Sequence, residues 1–241
     1  MHLVSRHITK LQSGCRGQAT PPFKQLLCGR PHWGAFGEKK VKMFDLFKCK
    51  EEKFWDWFVN NSEKLLRNDD QNSKIIDNLA KELKKVNQGL TFEMSVRKND
   101  VKKEFTISAD GDPNLITSVE KLYNCKPDLQ EWDIKKFRQR MQGFNIEIGN
   151  VCINYDDTKY WFVKDDDPEK ISILLFIKDF SEDKRDEYGN AAYLFVDCIL
   201  GEYDLMKYIG FIEVFGFDSE YFENAKEMSK MAADFDDWKN T

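Results

Sequence analysis

Residues 188–217 read YGNAAYLFVDCILGEYDLMKYIGFIEVFGF, and this stretch decides the fold. Its first half has a helical apolar pattern in which Tyr193, Val196, Ile199 and Leu200 share one face, and Gly201 is placed to close that helix. Tyr208 to Phe215 then reads as a strand, with Ile209, Phe211 and Phe215 expected in the core. The turn between helix and strand is Glu202-Tyr203-Asp204, so the richest apolar region carries a small polar group at its bend. Core and candidate site are expected to meet there.

Working outward, Tyr160 to Val163 and Ile171 to Ile177 form a strand pair joined through Asp165-Asp166-Asp167-Pro168. Phe144 to Ile148 and Val151 to Ile153 flank Gly149-Asn150, a hairpin signal. Leu90, Phe92, Met94 and Val96 alternate with polar residues, and Phe105, Ile107 and Ala109 repeat that alternation as a second hairpin. Asp110-Gly111-Asp112-Pro113 turns the chain into a helix with Asp112 as N-cap, Pro113 at the first helical position, and Ile116, Val119 and Leu122 facing inward. Trp132 to Arg140 reads as a strand. Two helices come first: one carries the stripe Phe54, Trp55, Phe58, Leu65 and Leu66, the other is capped by Asn72 or Ser73 and carries Ile76, Leu79, Leu83 and Val86. No internal repeat is evident.

The expected fold is α+β, a mostly antiparallel twisted sheet with helices packed mainly on one face. About six to eight strands and four or five helices are expected, with the strands mostly antiparallel because the strand-to-strand links are short. Residues 43–217 form a single α+β domain in this reading, and 218–241 a C-terminal amphipathic helix carrying Tyr221, Ala225, Met228, Ala232 and Phe235. That helix either covers its own domain or offers a seam to a partner helix. Residues 1–42 read as a disordered leader. They are either an Arg-rich transit-like segment or sequence translated upstream of a start at Met43, and Pro21-Pro22 with Gly29, Gly34 and Gly37 spoil an amphipathic transit helix.

Charge narrows the function classes. The chain has 37 basic and 42 acidic residues, and residues 1–42 hold eight of the basic residues and one acid, Glu38. Residues 43–241 are left with 29 basic and 41 acidic, a net of −12, which disfavours nucleic acid because phosphate binding rests on Lys and Arg displacing counterions. The six cysteines show no Cys-x-x-Cys spacing, consistent with reduced thiols in the cytoplasm, and Cys125, Cys152 and Cys198 sit in apolar contexts that suit inert core positions. No apolar run has the length of a membrane span, so no membrane partner is expected. The oligomeric state is not readable.

All three histidines lie in residues 1–42, so imidazole-based schemes have no base in the body of the chain. Carboxylate, Lys, Tyr or Cys chemistry remains. Of the paired acids, Asp110/Asp112 are explained by a turn and a cap, Asp156/Asp157 read as loop acids, and Glu202/Asp204 are hardest to dismiss. On a strand, Lys136, Arg138 and Arg140 would share one face, able to hold a carboxylate or phosphate or to pair with acids such as Asp133 or Glu147. The ligand-binding candidates are Arg138, Arg140, Glu202, Tyr203 and Asp204; no catalytic residue, resident metal or cofactor is assigned.

The succession Phe54-Trp55-Asp56-Trp57-Phe58, Phe105-Thr106-Ile107-Ser108-Ala109-Asp110-Gly111, Lys136-Phe137-Arg138-Gln139-Arg140, Leu200-Gly201-Glu202-Tyr203-Asp204 and Gly210-Phe211-Ile212-Glu213 resembles an uncharacterised bacterial family, domain of unknown function six-ninety-five. The resemblance runs from about Phe44 to Phe217. It implies a bacterial-type cytoplasmic domain that starts near Met43, and it brings no activity, site or cofactor with it. Two functions are carried forward. One is a non-catalytic cytoplasmic binding or regulatory protein with a protein partner, of which an immunity-like role against a basic toxin is one version. The alternative is a carboxylate-dependent, metal-assisted hydrolase in which Glu202, Asp204 and Asp110 act on an anionic substrate held by Arg138 and Arg140.

Overall fold

The computed structural model describes residues 48–67, 73–95 and 102–241. The leader read for residues 1–42 lies outside these, as does Asn72, one of the two residues read as the cap of the second helix. Helix α1 (Lys50–Leu66) starts on a cysteine: the Cys49 thiol accepts from the Glu52 N–H, and the Glu52 carboxylate accepts from the Cys49 N–H at 2.9 Å. This is a capping box with sulfur in place of a hydroxyl. The apolar stripe of α1 packs against α2 (Ser73–Val86), with Phe54, Phe58, Leu65, Leu79 and Leu83 fully buried.

The sheets follow in an order that the local alternation only partly foretells. Strands β1 (Thr91–Ser95) and β2 (Lys103–Ser108) pair antiparallel, helix α3 (Ile116–Asn124) crosses over, and β3 (Trp132–Lys136) joins β2 in parallel. A small antiparallel hairpin, β4 (Ile146–Ile148) and β5 (Val151–Ile153), comes next. Then β6 (Thr158–Lys164) pairs antiparallel with β7 (Ile171–Ile177), helices α4 (Arg185–Leu200) and α5 (Glu202–Tyr208) cross over, and β8 (Ile209–Phe215) joins β7 in parallel. Strand β9 (Lys226–Glu227) closes the far edge of β6, and α6 (Met231–Lys239) ends the chain. The fold is α+β with mostly antiparallel pairing, its strands spread over three sheets.

Two halves therefore repeat one connectivity: hairpin, helical crossover, parallel strand. The first half gathers its core around Phe58, Phe105, Val119 and Trp132, the second around Tyr160, Leu175, Phe195 and Phe235. A crossover is what a parallel neighbour requires, because a short turn cannot return the chain to the starting end of the sheet.

Several expectations are corrected. The strand from Trp132 stops at Lys136, not Arg140, because Phe137 takes φ = 61° while its N–H donates to Ile107 O at 2.8 Å. Arg138 and Arg140 thus leave the strand and share no strand face with Lys136. Glu202-Tyr203-Asp204 is not a turn but the start of α5. Ile209 is buried as expected, whereas Phe211 is exposed and Phe215 half-buried, since β8 is an edge strand. The tail is not one helix from Asp218: a short 3-10 helix, β9 and a further 3-10 turn precede α6, and Met228, Met231 and Phe235 are buried in the second core. Cys125 and Cys152 are exposed rather than core residues, and Cys198 is half-buried.

Candidate functional site

The segment 137–141 leaves β3 and runs against the junction of α4 and α5. The Arg138 carbonyl accepts from Glu202 N–H at 3.1 Å, and Met141 N–H donates to Cys198 O at 2.6 Å. Gly201, at φ = 83°, lets α4 end and α5 begin at this point without a side chain in the way. The five ligand-binding candidates converge as a result, with Arg138 and Arg140 on the segment and Glu202, Tyr203 and Asp204 on the first turn of α5.

Arg138 is the hub. Its Nε donates to Asp197 Oδ2 at 2.5 Å and its Nη1 to Ser108 Oγ at 3.1 Å, while Nη2 lies 3.6 Å from Glu202 Oε1. Glu93 and Asp110 stand at 3.6 and 3.8 Å from Nη1. Glu202 is 0% exposed and held on both oxygens: Oε2 accepts from Arg138 N–H at 2.9 Å, and Oε1 from Ser108 Oγ at 2.7 Å. Asp197 is 1% exposed, and its Oδ1 has no hydrogen-bond partner among the described residues.

One guanidinium so placed cannot neutralise its surroundings. Burial pushes the Asp197 carboxyl up to about 6 against the pull of Arg138, with Glu202 adding to the rise. Burial likewise raises Glu93, opposed by Arg138. For Arg138, burial works against the charge, but Asp197, Glu202 and Glu93 outweigh it and the group is held firmly charged. Burial pushes the nearby Tyr193 hydroxyl and Cys198 thiol each up to about 12, so neither is an activated nucleophile at neutral pH.

Arg140 forms a second, more exposed cluster. It grips Asp236 with both Nη atoms at 2.8 Å, donates from Nη2 to Asp204 Oδ2 at 2.7 Å, and donates from Nε to the Leu200 carbonyl at the end of α4 at 2.8 Å. The hydrogen bonds with Asp236 raise Arg140 and lower Asp236. Lys239 adds a donor to Asp204 at 3.1 Å. Tyr203 sets its ring 5.3 Å from that of Phe137, and its hydroxyl accepts from Lys207 Nζ at 3.2 Å.

Beside these clusters runs a groove of ≈ 950 Å³, floored by the outer edge of β3 and walled by α3 on one side and by α5 on the other. Lys135 pairs with Glu104 at 2.8 Å and Asp133 at 3.4 Å, and Lys136 with Glu120 at 3.4 Å. Asp133, expected to pair with the face of Lys136, Arg138 and Arg140, pairs instead with Lys135, and among the described residues no ion pair joins Glu147 to any of these cations. Among the described residues, no group of three or more His, Cys, Asp or Glu side chains is placed to hold a metal ion.

Sequence reasoning missed Asp197, Ser108 and Glu93. Asp197 had a signal: a carboxylate next to Val196 in an otherwise apolar helix has to be paired or exposed. Ser108 had none, since a small polar residue fits a strand's outer face equally well. Searches with the chain matched no family model, no curated protein and no solved structure.

Proposed function

We propose that this is a non-catalytic binding protein that engages a protein partner in the cytoplasm, with the groove along β3 as its contact surface. The observation that carries the reading is the mutual saturation of the candidate side chains. Glu202 is sealed and bonded on both oxygens, and Arg138 and Arg140 are consumed by Asp197, Glu202, Asp204 and Asp236. Groups tied to each other in this way weld the two halves together and leave little for a substrate.

The alternative hydrolase has convergence in its favour, since Glu202 and Asp204 do lie beside Arg138 and Arg140. Against it stand the burial of Glu202 and the absence, among the described residues, of a clustered donor set. The six cysteines lack Cys-x-x-Cys spacing, which supports a reducing compartment, and no helix of the described residues is long and apolar enough to cross a membrane. The net charge of residues 43–241 supports a partner other than nucleic acid. Membership of the family that the chain resembles is part of the proposal.

Two measurements test it together. A thermal-shift screen against divalent metals and anionic metabolites is expected to show no stabilisation, because a ligand that binds only the native state must raise the midpoint. Reciprocal affinity capture is expected to return one protein partner, lost with a charge-reversed groove. A metal- or anion-dependent rise in the midpoint without a protein partner would overturn the reading in favour of the hydrolase.

A further inference from the structure

Among the described residues, the outer edge of β3 has backbone groups without a partner. Phe137 N–H donates to Ile107 O, and Glu131 O accepts from Lys103 N–H, so the odd-numbered residues of β3 turn their backbone groups toward β2. In a parallel ladder the even-numbered residues then turn theirs away. Trp132 N–H is taken by Leu129 O, and Lys136 O by the Gln139 side chain. Ile134 N–H and C=O and Lys136 N–H are left facing the groove, and no strand lies on that side among the described residues.

The charged side chains lining the groove are Lys135, Lys136, Arg138 and Arg140 against Glu120, Asp133 and Asp204, a net of +1 beside a body of net −12. Lys135 and Lys136 flank the edge on opposite faces of the strand, while Arg138 and Arg140 at its end are held by their own carboxylates. The pair of Lys136 with Glu120 is long, at 3.4 Å, and its acid is 40% exposed, so an incoming carboxylate can displace it at little cost; Lys135 keeps Glu104 at 2.8 Å and exchanges only Asp133, which lies at 3.4 Å and is 49% exposed.

We propose that β3 accepts an extended acidic peptide segment of the partner as a fourth strand of the first sheet. This rests on the protein-binding reading above and names the chemistry of what binds. An added strand is the occupant that supplies a donor and an acceptor in register with Ile134 and a carbonyl to Lys136. Its side chains alternate faces, so acidic residues meet Lys136 on the α3 side and Lys135 on the other. A free anion would use the cations and leave the backbone groups unmet.

The test is amide hydrogen exchange by NMR on the full chain, with a labelled probe peptide of about ten residues alternating Glu and Val. Binding is expected to be saturable, weakened by salt, and absent for the Lys/Val counterpart. On binding, the Ile134 and Lys136 amides are expected to gain protection, while Phe137, already bonded to β2, changes little. K136E is expected to weaken binding about tenfold, with an unchanged denaturation midpoint showing that it folds. K136P, which also removes the outward N–H, is expected to weaken binding more than K136Q does.

Lack of saturable binding by the probe, or binding without protection at Ile134 and Lys136, overturns the proposal. So does protection of these amides by self-association alone, which would assign the edge to a second copy. If a protein partner is captured equally well by wild type and K136E, the edge proposal and the placing of the contact on the groove fail, while the reading of a protein-binding protein stands. If only metals or anions bind, the binding reading itself fails.

Discussion

Asp197 faces a choice between two costs. Ionised, it is a buried carboxylate with one oxygen bonded to Arg138 and the other without a partner among the described residues, in a cluster where Glu202 and Glu93 also claim that guanidinium. Protonated, it gives up part of the attraction to Arg138 and sheds the repulsion from its neighbours. Its pKa of about 6 in the folded chain lies above the ~3.9 of an unfolded aspartate, so between these values the native state binds more protons than the unfolded one. The destabilising contribution is complete above the folded pKa and fades as pH falls through 6 toward 4. Stability is therefore expected to rise on going from pH 7.5 to 5, by on the order of 1–3 kcal/mol from this group, with Glu93 acting in the same direction. Urea midpoints across that range check it. D197N removes the titrating group and is expected to flatten most of the rise; an unchanged slope in D197N would assign the effect elsewhere. Arg138 gives the complementary case: R138M leaves Asp197 and Glu202 buried without their cation and is expected to cost about 3–5 kcal/mol at neutral pH.

At the scale of elements, the junction between α4 and α5 depends on Gly201. Its φ of 83° is unfavourable for a side chain, and a Cβ there would stand 3.4 Å from both the Arg138 carbonyl oxygen and Arg140 Cγ. G201A is expected to destabilise by about 1–3 kcal/mol. G189A lies inside α4 with nothing within 4 Å of the added Cβ, and is expected to stabilise by up to about 1 kcal/mol. Equal signs in urea unfolding of the two variants would refute the junction's role. The same junction shows which elements were legible. The β4–β5 hairpin and the Asp112 cap could be read because their causes are local: a Gly149-Asn150 turn at φ = 57°, and an aspartate side chain accepting from Asn114 N–H. The end of β3 could not, since Phe137 turns out of the strand to meet Ile107 O and to bury its ring against Tyr203, partners 30 and 66 residues away in the chain. Of the five site candidates, Glu202, Tyr203 and Asp204 were legible as residue types at a helix–strand bend, and Arg138 and Arg140 as part of a basic run. Their pairing with Asp197, Ser108 and Asp236 was not, because it exists only once α4, β2 and α6 have met.

At the scale of the molecule, two halves of like connectivity share one hub and one tail. The repeat is invisible in sequence because what recurs is the order of hairpin, crossover and parallel strand, while the side chains filling the two cores differ: Trp55 and Trp132 in the first, Tyr160 and Phe235 in the second. The tail binds the second half to the hub at three levels. Met228, Met231 and Phe235 fill its core, Tyr160 OH donates to Asp234 at 2.8 Å, and Asp236 holds Arg140. Met206, on the crossover of the second half, is buried with the first core. Halves tied by a buried charge cluster and a shared side chain should unfold together, since opening either one exposes Asp197 or Glu202 with no cation beside it. F235A removes a fully buried ring and is expected to cost about 3–5 kcal/mol, a large part of a typical domain's total of roughly 5–15 kcal/mol. The informative readout is whether the loss is shared. Trp55 and Trp132 report on the first half and Trp238 on the tail. In tryptophan-to-phenylalanine variants that isolate one reporter at a time, F235A should move both denaturant midpoints by the same amount, with one cooperative transition by circular dichroism. A first-half reporter that keeps its wild-type midpoint while Trp238 shifts would show two independent halves, and the Arg138 cluster would then be a contact between them, not the weld that makes them one.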